Sequence, residues 1–412
     1  MNPRPEQAHD AFRLADDWRR FAEKHWAREP VVLSGGPPCG LDAAQAHALL
    51  VAAAATAASG GTDAGRVRLA VPDGDLRSPG PLLPSPADPD TRGYAARISA
   101  SDQLAGSGWL LTVADPLSLD FGLWSRVRQR LAGLWRHVGW PALPVTAELA
   151  VGVRHQAAEE SGARPDAAVL TWVIEGALTV RVRPEHTGTE FELHAEAGDL
   201  VHWPAGSTHL DDRSARCTTL RLAVPARTTS ALPYVGDVLE DLLRDRPAPG
   251  DGPTTAPHPA PAGPDGRLTP ARHHADQARR YATVLAGDEP ERALLLRWAG
   301  LRSAAGLDPV PPPRPRIALT PRHRLRRTTS VLHVTDRDGT LIWAAHGHAR
   351  RSVHPAADRI LARLRTTPLT TVAALAAACG LPPDDHELLA LLGELYAVRA
   401  VETTEAPSEP RP

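Results

Sequence analysis

The spacing of hydrophobic positions changes twice along the chain. Up to about residue 146 the strongest pattern is helical, as in "FGLWSRVRQRLAGLWRHVG" (121–139), where leucine and valine recur every three or four residues. From residue 147 to 225 the period falls to two, which indicates strands. After 225 the helical spacing returns. We therefore expect a β-rich centre with helical elements on both sides.

The first part predicts helices with short strands between them. Residues 9–28, "HDAFRLADDWRRFAEKHWAR", predict a helix that ends before Pro30, and "VVLSGG" then predicts a short strand. Residues 42–58 predict a second, alanine-rich helix. "RVRLAVP" and "SGWLLTVAD" give weaker strand signals before the amphipathic helix at 121–139.

The central part predicts a sandwich or a barrel. Its alternating segments lie at regular spacing with turn signals between them, which is typical of these two architectures. The segments are "AELAVGVRH", "AVLTWVIEG", "LTVRVRP", "EFELHAEAGDLVHWP" and "CTTLRLAVP".

The last part predicts a helical segment and a separate terminal unit. Residues 234–246 predict a helix, 247–266 form a Pro/Gly-rich linker, and two more helices follow before the stiff "PVPPPRPR" (309–316). The terminal unit predicts a hairpin that turns at Asp338-Gly339, then three helices and a closing strand. That order is typical of a winged helix.

These patterns predict an α+β protein with three domains and a tail. The predicted bounds are a barrel domain with N-terminal helices (1–225), a helical and dimerising segment (226–308), a winged-helix-like domain (312–405) and a disordered tail (406–412).

Composition excludes several classes of protein. The 412 residues carry a net charge of −2, so the molecule as a whole does not attract polyanions. Its three cysteines are far apart and form no CxxC pair, which argues against a zinc finger and suits a reducing compartment. The N-terminus lacks an apolar signal region, and no apolar run is long enough to span a bilayer. We expect a cytoplasmic protein without membrane contact.

The clearest chemical motif is "GDLVHWPAGSTHLDD", residues 198–212. Its spacing, G-x5-P-x-G-x2-H, matches the second motif of cupin barrels. The histidine of that motif, here His209, is the third ligand of a His/carboxylate/His iron site. Asp211 and Asp212 follow in a predicted solvated turn, or they hold His209 in one tautomer.

With this motif, the N-terminal "WRRFAEKHWAREPVVLSG", the helix at 121–139 and the winged-helix-like unit, the chain resembles the JmjC/cupin ribosomal-oxygenase family. The resemblance implies a double-stranded β-helix. It also implies Fe(II) and 2-oxoglutarate as cofactors and a ribosomal protein as the hydroxylated substrate.

The other family site residues do not carry over to this chain. If Gly176 is the family's turn glycine, the first histidine position falls at Ala163 and the carboxylate position at Pro165. The residue for the 2-oxoglutarate carboxylate falls near Leu178. None of these three can bind a metal or a carboxylate, so only His209 remains.

Other side chains are candidate substitutes for the missing ligands. His155 and Glu159 in "RHQAAEES", and Asp166 one residue from the carboxylate position, are the candidate metal ligands beside His209. The alternative is that they are ordinary loop residues. The candidate substrate-pocket residues are Trp172, His202 and Arg181. The alternative for His202 is a histidine in the barrel wall with a hydrogen-bond partner. For Arg181, and likewise for the strand residues Arg183 and Arg221, the alternative to binding a carboxylate is a place on a solvated outer face.

Two functions remain open from the sequence. The first is a barrel that has lost its iron and 2-oxoglutarate residues and binds a polypeptide, as a homodimer through 226–305 and without a cofactor. The second is an active Fe(II)/2-oxoglutarate hydroxylase of a ribosomal protein or a peptide natural product, with relocated ligands. Nucleic acid is not the expected partner, because the third helix of the terminal unit, "DDHELLALLGELY", has four acidic residues and no basic one.

Overall fold

The computed structural model describes residues 9–11, 17–35, 39–59, 66–72, 74–76, 79–104, 106–158, 166–226, 232–244, 279, 282–352 and 354–404. The predicted linker at 247–266 and the predicted tail at 406–412 lie outside these residues.

The N-terminal part packs four helices beside short strands. Its elements are β1 (His9–Ala11), α1 (Asp17–Lys24), β2 (Val31–Ser34), α2 (Ala43–Ala58), β3 (Val67–Val71), β4 (Gly74–Asp75), α3 (Thr91–Ser99), β5 (Trp109–Ala114) and α4 (Phe121–Val138). The predicted helix at 9–28 is wrong at its start, because β1 pairs in parallel with β2. The predicted α2 has a capping box: the side chain of Asp42 accepts from the backbone of Gln45, and the side chain of Gln45 accepts in return.

Within the described residues, the central barrel consists of eight strands. They are β6 (Thr146–Val153), β7 (His155–Ala158), β8 (Ala167–Glu175), β9 (Ala177–Pro184), β10 (Phe191–Glu196), β11 (Leu200–Trp203), β12 (Ser207–Arg213) and β13 (Cys217–Pro225). One sheet has the order β11-β8-β13-β6 and continues on both sides into the N-terminal strands, and the facing sheet has the order β10-β9-β12-β7. This crossing of consecutive strands between two sheets is a double-stranded β-helix, which confirms the predicted barrel and the α+β class.

The two faces of the larger sheet bury different cores. On β8, Leu170 and Trp172 point outward into a large core shared with the N-terminal helices, whereas Val169 and Val173 point into the barrel. Successive side chains of a strand point to opposite faces, so the phase of this alternation decides which residues can line the barrel interior.

The C-terminal part consists of a helical segment, a meander and a three-helix unit. Its elements are α5 (Leu232–Arg244), α6 (Glu289–Ser303), β14 (Arg324–Arg327), β15 (Leu332–Thr335), β16 (Leu341–Ala345), β17 (His348–Ser352), α7 (Ala357–Thr366), β18 (Leu369–Thr371), α8 (Val372–Ala378), α9 (His386–Ala397) and β19 (Val401–Thr404). The predicted turn at Asp338-Gly339 joins β15 to β16, and β17 extends this hairpin to three strands. The winged-helix assignment and the domain bounds stay predictions.

Helix α4 connects the barrel domain to the C-terminal part. The indole Nε1 of Trp135 donates to the carbonyl of Ala305 at 2.8 Å, and Arg128 Nη1 donates to the carbonyl of Ser303 at 3.0 Å. The ring of His346, after β16, packs edge-on against Phe121 with 5.0 Å between centroids. No helix among the described residues is both long and apolar enough to cross a membrane.

The turn glycine between β8 and β9 gives a test of the fold. Gly176 has φ +77°, and a Cβ there would lie 2.0 Å from the backbone oxygen of Arg216. Gly176→Ala therefore adds a backbone clash of about 1–3 kcal/mol to the cost of roughly 1–2 kcal/mol for a left-handed alanine. Thermal and urea unfolding measure the loss of stability.

Gly188→Ala is the matched control for this substitution. Gly188 also has a positive φ, +63°, but a Cβ there meets nothing within 4 Å. We expect this variant to lose only the roughly 1–2 kcal/mol of stability that a left-handed alanine costs. Equal destabilisation of the two variants would contradict the close packing of the β8–β9 turn on the chain before β13.

Candidate functional site

The polar end of the barrel interior is built on β12. Its inward positions are Ser207, His209, Asp211 and Arg213, which are buried, while Thr208, Leu210 and Asp212 between them are more exposed. The remaining interior is lined by apolar side chains, among them Val180, Val182 and Trp203. One strand thus carries an imidazole, a carboxylate and a guanidinium into a largely apolar barrel.

Arg221 enters the same space from β13 and contacts most of the polar side chains. Its Nη2 donates to Asp211 Oδ2 at 2.6 Å, and its Nε donates to Thr171 Oγ1 at 3.1 Å. Its Nη1 lies 3.5 Å from His209 Nε2, and the guanidinium lies over the Trp203 ring at 5.1 Å. Arg221 is therefore held from several sides, with its charge between His209 and Asp211.

Two further charged side chains complete this group, which we call the ion cluster (Glu148, Asp211, Arg213 and Arg221). Arg213 Nη1 lies 3.3 Å from Asp211 Oδ2, and Arg213 Nη2 donates to Thr219 Oγ1 at 3.4 Å. Glu148 on β6 is the register partner of Arg221 on β13. The cluster thus spans both sheets of the barrel.

Burial and charge act against each other within the ion cluster. Burial alone would raise the pKa of Asp211, but Arg221 and Arg213 outweigh it and lower that pKa to about 2. The pKa of Glu148 is raised by burial, which the arginines only partly offset. Burial lowers the pKa of Arg221, but Asp211 and Glu148 raise it above the ordinary value. The Asp211–Arg221 pair is therefore ionised at neutral pH.

His209 is neutral at physiological pH. Burial, and next the charge of Arg221, lower its pKa to about 4. The ring packs against Trp203 with 4.8 Å between centroids, and the residue is 8% exposed. With its proton on Nδ1, the neutral ring directs the Nε2 lone pair at Arg221, and this is the lone pair that a metal would need.

His155 faces the barrel interior but lies far from His209. It is the register partner of Arg213, four residues along β12 from His209, so the two histidine levels are roughly 13 Å apart at ~3.3 Å per residue. Two ligands of one metal each lie about 2 Å from it. The expectation that His155 and His209 share a metal is therefore wrong.

The other candidate ligands do not join His209 in the described structure. Asp166 is exposed just before β8, where its carbonyl accepts from the backbone of Ala226. Glu159, with the positions Ala163 and Pro165, lies outside the described residues. No group of three or more His, Cys, Asp or Glu side chains suited to a metal occurs in the part of the chain that the structure describes.

None of the three candidate pocket residues lines the barrel interior. His202 is fully buried on the outer side of β11, where its ring stacks on Trp26 at 5.4 Å and its Nδ1 pairs with the carbonyl of Val169 at 2.9 Å. Trp172 points into the N-terminal core, and Arg181 lies on the outer face of β9. All three are one residue out of phase with the inward positions of their strands, so placing them in the pocket was wrong.

Most of the ion cluster was not predicted from the sequence. Asp211 is 1% exposed and does not belong to a solvated turn, and Arg221 points inward instead of lying on a solvated outer face. The alternation His209-x-Asp211-x-Arg213 is the signal that could have placed these residues on one face of a strand. The closure of a barrel over this face has no such local signal, because it depends on which strands pair.

The described residues do not fit the iron site of the resembling family. A metal bound to His209 Nε2 at about 2.1 Å would lie at most ~5.6 Å from Arg221 Nη1. At an effective dielectric of ~20, the repulsion between a dication and this guanidinium is at least about 6 kcal/mol. Asp211, the nearest carboxylate, is already paired with two arginines. Leu178, near the expected 2-oxoglutarate anchor, is part of the apolar barrel core.

Comparison with known proteins gives similar structures but no family assignment. No protein-family model and no curated protein matches the chain. A crystal structure of the Escherichia coli ribosomal oxygenase YcfD is 18% identical, covers 96% of this chain and all of its own, and has a TM-score of 0.49. A YcfD structure in complex with cobalt and 2-oxoglutarate is 19% identical over 94% of this chain and 98% of its own, with a TM-score of 0.46. A cupin superfamily protein from Desulfitobacterium hafniense is 15% identical over 20% of this chain and 67% of its own, with a TM-score of 0.17.

The buried neutral histidine gives a pH prediction. The folded-state pKa of His209 lies below its unfolded value, so its contribution to stability is fully present above about pH 6.5 and is lost as the pH falls towards 4. We expect His209→Gln to reduce the acid dependence of the free energy of unfolding by about 1.4 kcal/mol per pH unit within that window. Urea unfolding at a series of pH values measures this slope.

His137→Gln is the control for the pH dependence. His137 lies in the last turn of α4 and is exposed, so its substitution should leave the slope unchanged. An unchanged slope for His209→Gln as well would show that His209 is not a buried neutral group.

Proposed function

We propose that this protein is an oxygenase-like barrel that has lost the family's iron chemistry and binds a polypeptide. The observation that carries the proposal is the position of Arg221, whose guanidinium lies between His209 Nε2 and Asp211. The guanidinium of Arg221 neutralises the carboxylate of Asp211, whereas a metal centre would need that carboxylate as a free ligand. The polypeptide partner, a ribosomal protein among the candidates, follows from the family resemblance.

The second candidate function is an active Fe(II)/2-oxoglutarate hydroxylase with relocated ligands. It would need two further ligands beside His209. Since His155 lies roughly 13 Å along the barrel from His209, these ligands would have to come from outside the described residues, for example from Glu159. The two candidates therefore differ in whether the unaltered protein binds a divalent metal through His209.

Anaerobic titration with Mn(II) or Co(II), followed by electron paramagnetic resonance or calorimetry, tests the proposal. We expect no stoichiometric binding by the unaltered protein at high micromolar metal, with or without 2-oxoglutarate. Stoichiometric binding that His209→Ala abolishes would overturn the proposal and establish the second candidate.

Arg221→Met tests whether the internal cation is the cause. Removing the guanidinium frees the lone pair of His209 and a carboxylate oxygen of Asp211, so this variant should bind Co(II) measurably more tightly than the unaltered protein. Arg181→Met, on the outer face of β9, is the control and should bind no more tightly. Equal affinities for Arg221→Met and the control would show that Arg221 does not exclude the metal.

We also propose that the protein dimerises through the helical segment. Trp298 on α6 is 48% exposed, Leu285 just before α6 is 44% exposed, and Leu294 on α6 is only partly buried. Large exposed apolar side chains within one segment of the chain are typical of a protein interface.

Trp298→Glu tests the dimer. A buried interfacial tryptophan contributes 2 kcal/mol or more, so the variant should dissociate about 30-fold more readily. Leu369→Glu on β18, where the leucine is 59% exposed, is the control and should leave the assembly unchanged. Sedimentation velocity over a range of concentrations measures both variants, and a monomeric unaltered protein would refute the dimer.

A further inference from the structure

Arg213 is buried in the barrel with donors that nothing satisfies. The residue is 2% exposed, and its Nε and Nη1 have no hydrogen-bond partner among the described residues. Its contact from Nη1 to Asp211 Oδ2, at 3.3 Å, is long for a charge-assisted bond, and its bond to Thr219 is 3.4 Å. Unpartnered buried donors are rare in folded proteins and call for an acceptor. The neighbouring Asp211 Oδ1 is also without a hydrogen-bond partner among the described residues, so it does not satisfy Nε or Nη1 of Arg213.

The charge of the ion cluster also calls for an acceptor. Two guanidinium groups, those of Arg213 and Arg221, share the ionised carboxylate of Asp211, and the closer bond of that carboxylate, at 2.6 Å, goes to Arg221. Burial raises the pKa of Glu148, and no contact between its carboxylate and Arg213 completes the pairing of that guanidinium among the described residues. Arg213 is thus the less neutralised of the two cations, and an uncompensated buried charge is costly.

A second buried polar atom without a partner lies beside Arg213. His155, opposite Arg213 on β7, has a buried Nδ1 without a hydrogen-bond partner among the described residues. Burial, and next the charge of Arg213, lower the pKa of His155, so the neutral ring has one N–H to donate. The backbone of β6 packs directly against Arg213, because a Cβ at Gly152 would lie 3.1 Å from Arg213 Cδ and 2.8 Å from Leu110 Cδ1.

From these contacts we propose that the barrel holds a small monovalent anion, of the size of a halide or formate, on Arg213 Nε and Nη1 beside His155. Arg213 supplies the charge and two donors, and His155 supplies a third donor when its proton is on Nδ1. The anion neutralises the positive charge of Arg213, because Asp211 is shared with Arg221. The barrel of this chain would then bind an anion in its interior, whereas the family it resembles binds a metal cation there.

Melting temperatures in different sodium salts at constant ionic strength test the anion site. Bromide and formate should stabilise the protein saturably, with a rise of roughly 2–4 °C at about ten times the dissociation constant, and the larger gluconate should not. Arg213→Met should abolish the response. Arg216→Met, which removes an arginine paired with Glu175 outside the barrel interior, should retain it. Equal responses to all anions, or a response that survives in Arg213→Met, would overturn the proposal.

Crystals of the unaltered protein grown in sodium bromide give a direct test that does not depend on the variant folding. An anomalous peak within hydrogen-bonding distance of Arg213 Nε or Nη1 would establish the site. Density at that position without an anomalous signal would identify a water molecule and overturn the proposal.

Discussion

The pairing of Arg221 with Asp211 inside the barrel determines what the rest of the site can do. A buried carboxylate needs compensation, and at 2.6 Å the guanidinium supplies it so effectively that Asp211 stays ionised with a pKa of about 2. The same guanidinium faces the only metal-binding lone pair of His209. One ion pair therefore stabilises the polar end of the barrel and makes it a poor site for a dication.

This pair depends on the topology of the barrel. Asp211 lies on β12 of one sheet and Arg221 on β13 of the other, and the turn between these strands brings both side chains into one interior. Thr171 on β8 accepts a hydrogen bond from this guanidinium, and Glu148 on β6 is the register partner of Arg221. The N-terminal helices close the outer face of the larger sheet with His202 and Trp172, so those side chains serve the packing of the domain and not the site.

The proposed loss of iron chemistry and the proposed anion site rest on the same arrangement of charged side chains. The polar interior places two guanidinium groups, those of Arg213 and Arg221, against the ionised Asp211, and two donors of Arg213 stay without a hydrogen-bond partner among the described residues. Such an interior favours acceptors and anions, whereas an iron centre requires free carboxylate and imidazole ligands.

The sequence by itself determined the α+β class, the period-two strands of the barrel, the helix at 121–139 and the turn at Asp338-Gly339, because periodicity and turn residues are local signals. It also predicted His209 as the candidate ligand within the motif at 198–212. The tertiary structure alone decided the phase of each strand: Trp172, His202 and Arg181 point away from the interior, and Asp211, Arg213 and Arg221 point into it. It also decided the separation of His155 from His209. Both follow from strand register, which is set by pairing between segments far apart in the chain and leaves no local signal in the residues themselves.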